Sequence, residues 1–324
     1  MKAWRVEQIT ETGTMHLRDL PLPVPGPGEY LVRMAAAGLN FLDTLMLRGR
    51  YQRRPALPFT PGVECAGIIA AAGEGCALPP GTRVLASLET GGFAEFACAR
   101  AAAVLPLPDG MPAEDALAVL GVNYPTSYYA LHERARLRAG ETVLVHAGAG
   151  GVGSAAIQLA RHAGARVIAT AGGAAKCETC RRLGAAHAID YAAGDWVETV
   201  RQLTDGRGAD VIYDPVGGEV GEQSLRVLAW MGRYLVVGFA GGAIPRLPAN
   251  RLLLHNAAAV GVIWGELLNR DPAAAGAVRA ALAELYREGV IPPLIGGRFP
   301  LSEAPAALAA LAGRGSVGKL VLEP

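Results

Sequence analysis

The amino-acid sequence predicts an α/β protein with two domains, one built from short strands and the other a doubly wound parallel sheet. Its 324 residues exceed the usual length of one domain, and 51% hydrophobic with 18% charged residues is typical of a core-rich globular chain. The pattern changes near residue 140, from short apolar runs with turns to alternating strand-like and helical segments. That change indicates two domains of different construction.

Residues 1 to about 120 carry the pattern of the β-rich domain. Apolar runs such as "EYLVRMAAAGLN", "CAGIIAAAG" and "TRVLASL" are separated by turn segments, for example Pro25 to Gly28 and Pro79 to Gly81. Short strands bounded by proline and glycine turns are typical of β structure.

The next segment alternates strands with helices. Strand-like runs are "ETVLVHA", "ARVIAT", "HAID", "ADVIYDPVG", "RYLVVGF" and "AAAVGVIW". The spacing between them predicts helices over "VGSAAIQLARHAG", over "AAKCETCRRLG", around Trp196 to Thr204, and up to Trp230. Continuous apolar strands alternating with helices indicate a parallel sheet that is covered on both faces.

The last part of the chain predicts a long helix over Pro272 to Glu288, a short helix in "SEAPAALAALAG" and a final strand in "GKLVLEP". We expect this strand to return to the N-terminal domain. The first domain is then discontinuous, with residues 1–120 joined by 265–324, and residues 121–264 form the inserted domain.

Charge and cysteine content restrict the class of protein. The net charge is +1 with no charged block, which argues against nucleic acid as a partner. The N-terminus lacks a signal-peptide pattern and no apolar run is long enough to span a membrane, so we expect a cytoplasmic protein. Cys177 and Cys180 form a CxxC in a helical segment without metal-ligand partners, which favours reduced thiols over a redox or zinc pair.

A glycine cluster predicts a dinucleotide site. In "VLVHAGAGGVGSAAIQLA" a strand is followed by GxGxxG and then by a helix. Glycines permit a tight turn and close approach of the backbone to a pyrophosphate, while the helix N-terminus presents N–H groups to it. The alternative is a glycine-rich turn of another α/β protein, but the βαβ series that follows favours a Rossmann domain. The residues assigned to this loop are Gly148, Gly150, Gly151, Val152 and Gly153.

The end of the next strand indicates NADP(H) rather than NAD(H). NAD sites place a carboxylate there for the ribose 2′-hydroxyl. The segment from Thr170 to Gly173 has none, and Lys176 follows with a cation that suits a 2′-phosphate. Gly172, Lys176 and Tyr191 are therefore counted among the cofactor-binding residues, with an ordinary surface lysine as the alternative reading of Lys176.

These motifs resemble the zinc-independent quinone oxidoreductases of the medium-chain dehydrogenase/reductase superfamily. The resemblance runs from end to end and is carried by "AAAGLNFLDTLMLRGRY", "LPFTPGVECAGII", "GTRVLA", "GGFAEFA", "NYPTSYYAL", "HAGAGGVGSAAIQLA", "VIYDPVGG", "RYLVVGFAGG" and "GKLVL". It implies a GroES-like β domain, an inserted Rossmann domain, a homodimer, and NADPH-dependent reduction of quinones or other conjugated carbonyls.

The resemblance also implies that no metal is bound. Zinc-dependent relatives carry Cys where this chain has Asn40, and GHE where it has Gly62-Val63-Glu64. Their four structural-zinc cysteines have no counterpart. We expect Glu64 to pair with a cation instead, such as an arginine near the cofactor domain. Quinones and enones suit such a site, because they delocalise the charge of an incoming hydride and need less Lewis-acid help.

By motif position, the resemblance assigns Asn40, Asp43 and Tyr51 to the catalytic cleft and Thr126 to the nicotinamide. Packing is the alternative for Tyr51. The remaining expected cofactor residues follow strand ends or match a recurrent lysine of the family, and they are Phe239, Ile263, Trp264 and Lys319. Interface packing is the alternative for Trp264, and a near-surface position is the alternative for Lys319.

Two other functions remain open. An enoyl-thioester reductase shares the cofactor and needs a basic patch for a CoA or carrier phosphate, which Arg48, Arg50, Arg53 and Arg54 would provide. A cofactor-binding protein with little catalysis is the second alternative. A zinc alcohol dehydrogenase would become a third only if metal analysis found stoichiometric zinc.

Overall fold

The computed structural model describes all 324 residues and separates the chain into two compact units. The first unit comprises Met1–Val122 and Pro293–Pro324, and the second comprises Asn123–Pro292. The first unit is therefore discontinuous. Residues 265–292, which we expected in the first domain, lie in the second unit, where their long helix packs on other helices of that unit.

The first 122 residues contain seven strands and two short helices. These are β1 (Lys2–Arg5), β2 (His16–Asp19), β3 (Glu29–Leu39), α1 (Phe41–Leu47), β4 (Glu64–Ala72), β5 (Arg83–Ser87), β6 (Phe96–Arg100), β7 (Val104–Pro106) and α2 (Ala113–Ala116). A π-helical turn, Leu117–Gly121, ends this part of the chain. β3 is the longest strand and pairs with both β4 and β6, which makes it the centre of the unit.

The second unit alternates helices and strands. Its elements are α3 (Asn123–Tyr128), β8 (Thr142–Val145), α4 (Gly151–His162), β9 (Arg166–Ala171), α5 (Ala174–Arg182), β10 (His187–Asp190), α6 (Trp196–Leu203), β11 (Ala209–Asp214), α7 (Gly218–Ser224), β12 (Leu228–Val236), α8 (Ala249–His255), β13 (Ala258–Gly261), α9 (Trp264–Arg270) and α10 (Pro272–Arg287). All six strands are parallel, in the order β10-β9-β8-β11-β12-β13. The predicted doubly wound sheet is confirmed.

One boundary in this unit differs from the sequence prediction. The helix expected to reach Trp230 ends at Ser224, and Trp230 lies in β12. The reason is sheet pairing, because Leu228 already pairs with Ala209 of β11. The apolar run that we assigned to a helix is the beginning of a strand.

The last residues complete the first unit with β14 (Ile295–Pro300), α11 (Ala304–Ala312) and β15 (Lys319–Glu323). β15 pairs antiparallel with β3, as the sequence predicted for the terminal strand. Trp4 anchors the returning segment through its indole N–H, which donates to the Leu301 carbonyl at 2.7 Å. No helix combines the length and apolar content that crossing a membrane requires.

Candidate functional site

The glycine loop of the second unit leads into the N-terminus of a helix whose first N–H groups are suited to an anion. It follows β8 and leads into α4, which starts at Gly151. The N-cap residue is Gly150, which has no side chain that could accept a hydrogen bond from the first turn. The N–H groups of Gly151, Val152 and Gly153 therefore have no acceptor within the helix. Because α4 has twelve residues, its dipole adds partial positive charge at the same place.

The close packing of this loop explains its glycines. A Cβ on Gly153 would lie 2.8 Å from the carbonyl carbon of Ala147, and one on Gly148 would lie 2.9 Å from Cys180 Sγ. A Cβ on Gly151 would collide with the Asn123 carboxamide, at 3.1 Å from its Cγ. The loop is a cradle that side chains would fill, and its donor set fits a pyrophosphate.

Buried polar side chains support the glycine loop and the strand that precedes it. Ser127 Oγ donates to the Val152 carbonyl at 2.8 Å and lies 2.9 Å from Tyr213 Oη. His146 contacts Thr170 Oγ1 and Ser224 Oγ through its two ring nitrogens, each at 2.9 Å, and burial lowers the pKa of His146. Sequence reasoning missed these residues, although Ser127 stands next to Thr126 in a quoted motif.

The residues predicted for the 2′-phosphate lie around the carboxyl end of β9. A Cβ on Gly172 would lie 2.7 Å from the hydroxyl of Tyr191, so these residues adjoin each other, and Lys176 is half-buried on α5. The Asp190 carboxylate reaches the same strand end from β10, where its Oδ1 accepts the N–H groups of Gly173 and Ala192, both at 3.0 Å. These backbone hydrogen bonds lower the pKa of the Asp190 carboxyl.

In the first unit, Asn40 lies in a buried charged cluster. Its Oδ1 accepts from Lys319 Nζ at 2.8 Å, and its Nδ2 donates to Glu64 Oε1 at 2.8 Å. Lys319 and Glu64 form an ion pair, and each is 1% exposed. The expectation of an arginine partner for Glu64 was wrong, because the cation is Lys319 on β15. Lys319 is also not near the surface, and its observed partners lie within the first unit.

Asp43 stands beside this cluster on the first turn of α1. Its Oδ2 accepts the backbone N–H of Asn40 at 2.8 Å and completes a capping box, while Oδ1 has no hydrogen-bond partner. Complete burial raises the pKa of Asp43 to about 7, although the Asn40 N–H and the Lys319 charge act in the opposite direction. Tyr51 is half-buried and packs against the core of the first unit.

The other expected cofactor residues lie in the second unit. Thr126 is buried on α3, and Phe239 follows β12 with its ring close to Gly217. Ile263 is 53% exposed, whereas Trp264 is buried with the Arg279 guanidinium 5.7 Å from its ring centre. The Trp264 ring is therefore a packing element within the second unit. No group of three or more His, Cys, Asp or Glu side chains is arranged to hold a metal.

A β domain interrupted by a dinucleotide-binding parallel-sheet domain defines a medium-chain dehydrogenase/reductase. Residues 26–109 match the family "Alcohol dehydrogenase GroES-like domain", and residues 151–282 match "Zinc-binding dehydrogenase". Quinone oxidoreductase-like protein 2 of Rattus norvegicus is 38% identical over 304 residues, which cover 93% of this chain and 86% of the relative.

Solved structures are similar over the whole chain. The quinone oxidoreductase of Thermus thermophilus, described alone and with NADPH, is 37% identical with a TM-score of 0.85 and full coverage of both chains. The quinone oxidoreductase of Escherichia coli complexed with NADPH is 27% identical with a TM-score of 0.93 and full coverage of both chains. The chain belongs to the quinone oxidoreductase family of the medium-chain dehydrogenase/reductase superfamily.

Proposed function

We propose that this chain reduces quinones or other α,β-unsaturated carbonyls with NADPH and without a metal ion. The observation that carries the proposal is the Asn40 cluster. By the family resemblance, Asn40 and Val63 stand where zinc-dependent relatives carry ligands, and in the structure Glu64 is paired with the buried Lys319 ammonium. A site built in this way suits an acceptor that stabilises hydride charge by its own conjugation.

The NADPH assignment is supported by the second unit and by relatives whose structures contain NADPH. When bound, the nucleotide supplies a hydride. The N–H groups of Gly151 to Gly153 hold the pyrophosphate, and Lys176 binds the 2′-phosphate beside Gly172 and Tyr191. Thr126 and the backbone after β12 and β13 (Phe239, Ile263 and Trp264) are assigned to the nicotinamide end.

The first unit supplies groups for the acceptor. Asn40 orients the carbonyl, and Tyr51 donates a hydrogen bond to the oxygen on which charge develops. Asp43 acts through Asn40, because it holds the backbone N–H that begins α1. The chemistry then depends on orientation and hydrogen-bond donors rather than on a Lewis acid.

The test is NADPH oxidation against ortho- and para-quinones, alkenals, cyclic enones and crotonyl-CoA, with NADH as the control nucleotide. We expect turnover of quinones or enones, a preference for NADPH, and no loss of rate after treatment with a chelator. Loss of activity on chelation, or equal rates with the two nucleotides, would contradict the corresponding part of the proposal.

Enoyl-thioester reduction remains the second candidate because of a cavity in the first unit. Arg5, Arg53 and Arg54 line this cavity of about 730 Å³, and three cations are suited to a CoA phosphate. Activity confined to crotonyl-CoA, with a KM raised by Arg53→Ala, would establish this candidate. Tight NADPH binding without turnover of any acceptor would instead indicate a cofactor-binding protein.

We also propose a cytoplasmic homodimer. β13 is the edge strand of its sheet, and Leu253 and Leu254 nearby are 80% and 70% exposed, as expected for a surface that pairs with a second copy. Light scattering should give twice the 33.5 kDa chain mass, and fractionation should recover the protein with the cytoplasm. A monomeric mass would contradict the assembly.

A further inference from the structure

Lys319 and Glu64 approach each other across the end of β3. β15 and β4 flank β3 in the sheet, and Lys319 and Glu64 stand at the strand ends that lie beside Gly38 and Asn40. A Cβ on Gly38 would lie 2.7 Å from Lys319 Cε and 2.9 Å from Glu64 Cδ. The missing side chain at Gly38 therefore makes room for the ion pair.

The opposite side of the carboxylate is closed by Gly121, where a Cβ would lie 3.1 Å from Glu64 Cδ. The Glu64 carboxylate is thus held between two glycines, and its Oε2 has no hydrogen-bond partner. A charge pair buried in this way is weak evidence for stability, because apolar residues of similar volume are often at least as stable. The arrangement calls for another explanation.

Hydrogen-bond chemistry shows what the pair does to Asn40. An ammonium group only donates, and a carboxylate only accepts. The Asn40 carboxamide meets Lys319 with its oxygen and Glu64 with its nitrogen. Rotating the amide by half a turn would set donor against donor and acceptor against acceptor, so a single orientation is enforced.

One amide hydrogen of Asn40 remains weakly used. Its second contact from Nδ2 is to the Gly38 carbonyl at 3.4 Å, near the limit for a hydrogen bond. The ammonium at Oδ1 also polarises the carboxamide, and in a buried network this strengthens the N–H groups as donors. The cluster therefore fixes the direction of this N–H, and its long bond to the Gly38 carbonyl leaves it able to share the hydrogen with a second acceptor.

We propose that Lys319 and Glu64 are positioning residues that hold the Asn40 carboxamide in one orientation, so that the N–H bonded weakly to the Gly38 carbonyl is shared with the carbonyl oxygen of the substrate. This inference rests on the proposed reduction of conjugated carbonyls. Negative charge develops on that oxygen as hydride arrives, and a donor already in place stabilises it without reorganisation. Loss of both charges leaves the volume filled but allows the carboxamide to rotate.

The test uses three variants of the cluster, namely Lys319→Met, Glu64→Gln and the double variant Lys319→Met/Glu64→Gln. Lys2→Met serves as the control. Lys2 forms an exposed ion pair with Asp19 in the same unit, so its variant controls for the loss of a lysine charge. For each protein we would measure kcat and KM with the best acceptor, the Kd for NADPH, and the midpoint of urea unfolding.

Lys319→Met alone should be unstable, because it leaves the Glu64 charge buried without its partner. In the double variant no unpaired charge remains, so the unfolding midpoint should return toward that of the wild type. Its kcat should stay at least about tenfold lower, which corresponds to about 1.4 kcal/mol, with an unchanged Kd for NADPH. Lys2→Met should match the wild type throughout.

A double variant that recovers wild-type kcat together with stability would overturn the inference, since the pair would then be structural only. A raised Kd for NADPH with unchanged kcat would overturn it as well, because Lys319 would then act on the cofactor. A wild-type protein that reduces no conjugated carbonyl would refute the proposed function itself, which is a separate result.

Discussion

Replacing Gly38 with alanine tests the geometry of the buried cluster most directly. Ordinary van der Waals contact begins near 3.4 Å, and the new Cβ would lie 2.7 Å from Lys319 Cε. The lysine must therefore move by roughly 0.7 Å to restore that separation. Glu64 cannot retreat far, because Gly121 packs against its other side.

The expected destabilisation follows from this displacement. Breaking a buried ion pair costs about 3–5 kcal/mol, and Gly38→Ala disturbs the pair without removing either charge, so we expect about 3 kcal/mol. Gly38 has no positive φ, so alanine adds no backbone strain at this position. Because whole domains are stable by only about 5–15 kcal/mol, the effect should be easy to measure.

The assay is urea unfolding followed by circular dichroism and tryptophan fluorescence, with the slope m compared between variants. Gly276→Ala is the matched control, because a Cβ there meets nothing within 4 Å on the exposed face of α10. It should stabilise the protein by about 0.5–1 kcal/mol through helix propensity. A loss below about 1 kcal/mol for Gly38→Ala, at unchanged m, would refute the packing of the cluster.

Three further predictions concern charge and cofactor binding. Burial raises the pKa of Asp43 from 3.8 to about 7. Between these two values the folded state keeps a proton that the unfolded state has released. The free energy of unfolding should therefore fall as pH rises from about 4 to 7. Asp43→Asn should flatten that part of the unfolding-midpoint profile, and an unaltered profile would contradict the shift. Lys176→Ala should raise KM for NADPH about tenfold and leave KM for NADH unchanged. Arg181→Ala is the control and should change neither KM. An equal rise of KM for both nucleotides on Lys176→Ala would count against a 2′-phosphate contact. Gly153→Ala should weaken NADPH binding by at least about tenfold in fluorescence titration, because its Cβ would force the loop away from the Ala147 carbonyl; wild-type affinity would show that the loop tolerates a side chain.

The sequence predicted the contacts of the second unit more completely than those of the first unit. Gly148 to Gly153 form one continuous segment, so strand, turn and helix could be recognised from local order. The predicted end of α7 lies too far along the chain. Leu228 pairs with β11 instead of extending the helix, and this pairing leaves no local signal in the sequence. The support of the loop by Ser127 and Tyr213 was likewise invisible, since these residues are 86 positions apart.

By itself, the sequence determined the alternation of strands and helices, the phosphate loop, the lack of a carboxylate from Thr170 to Gly173, and the return of the last strand. Each depends on residues that are neighbours in the chain, where hydrophobic period and glycine geometry act directly. Only the tertiary structure decided the partner of Glu64. Lys319 is 255 residues away, and it reaches Glu64 because β15 and β4 flank the same strand and Gly38 leaves the space between them.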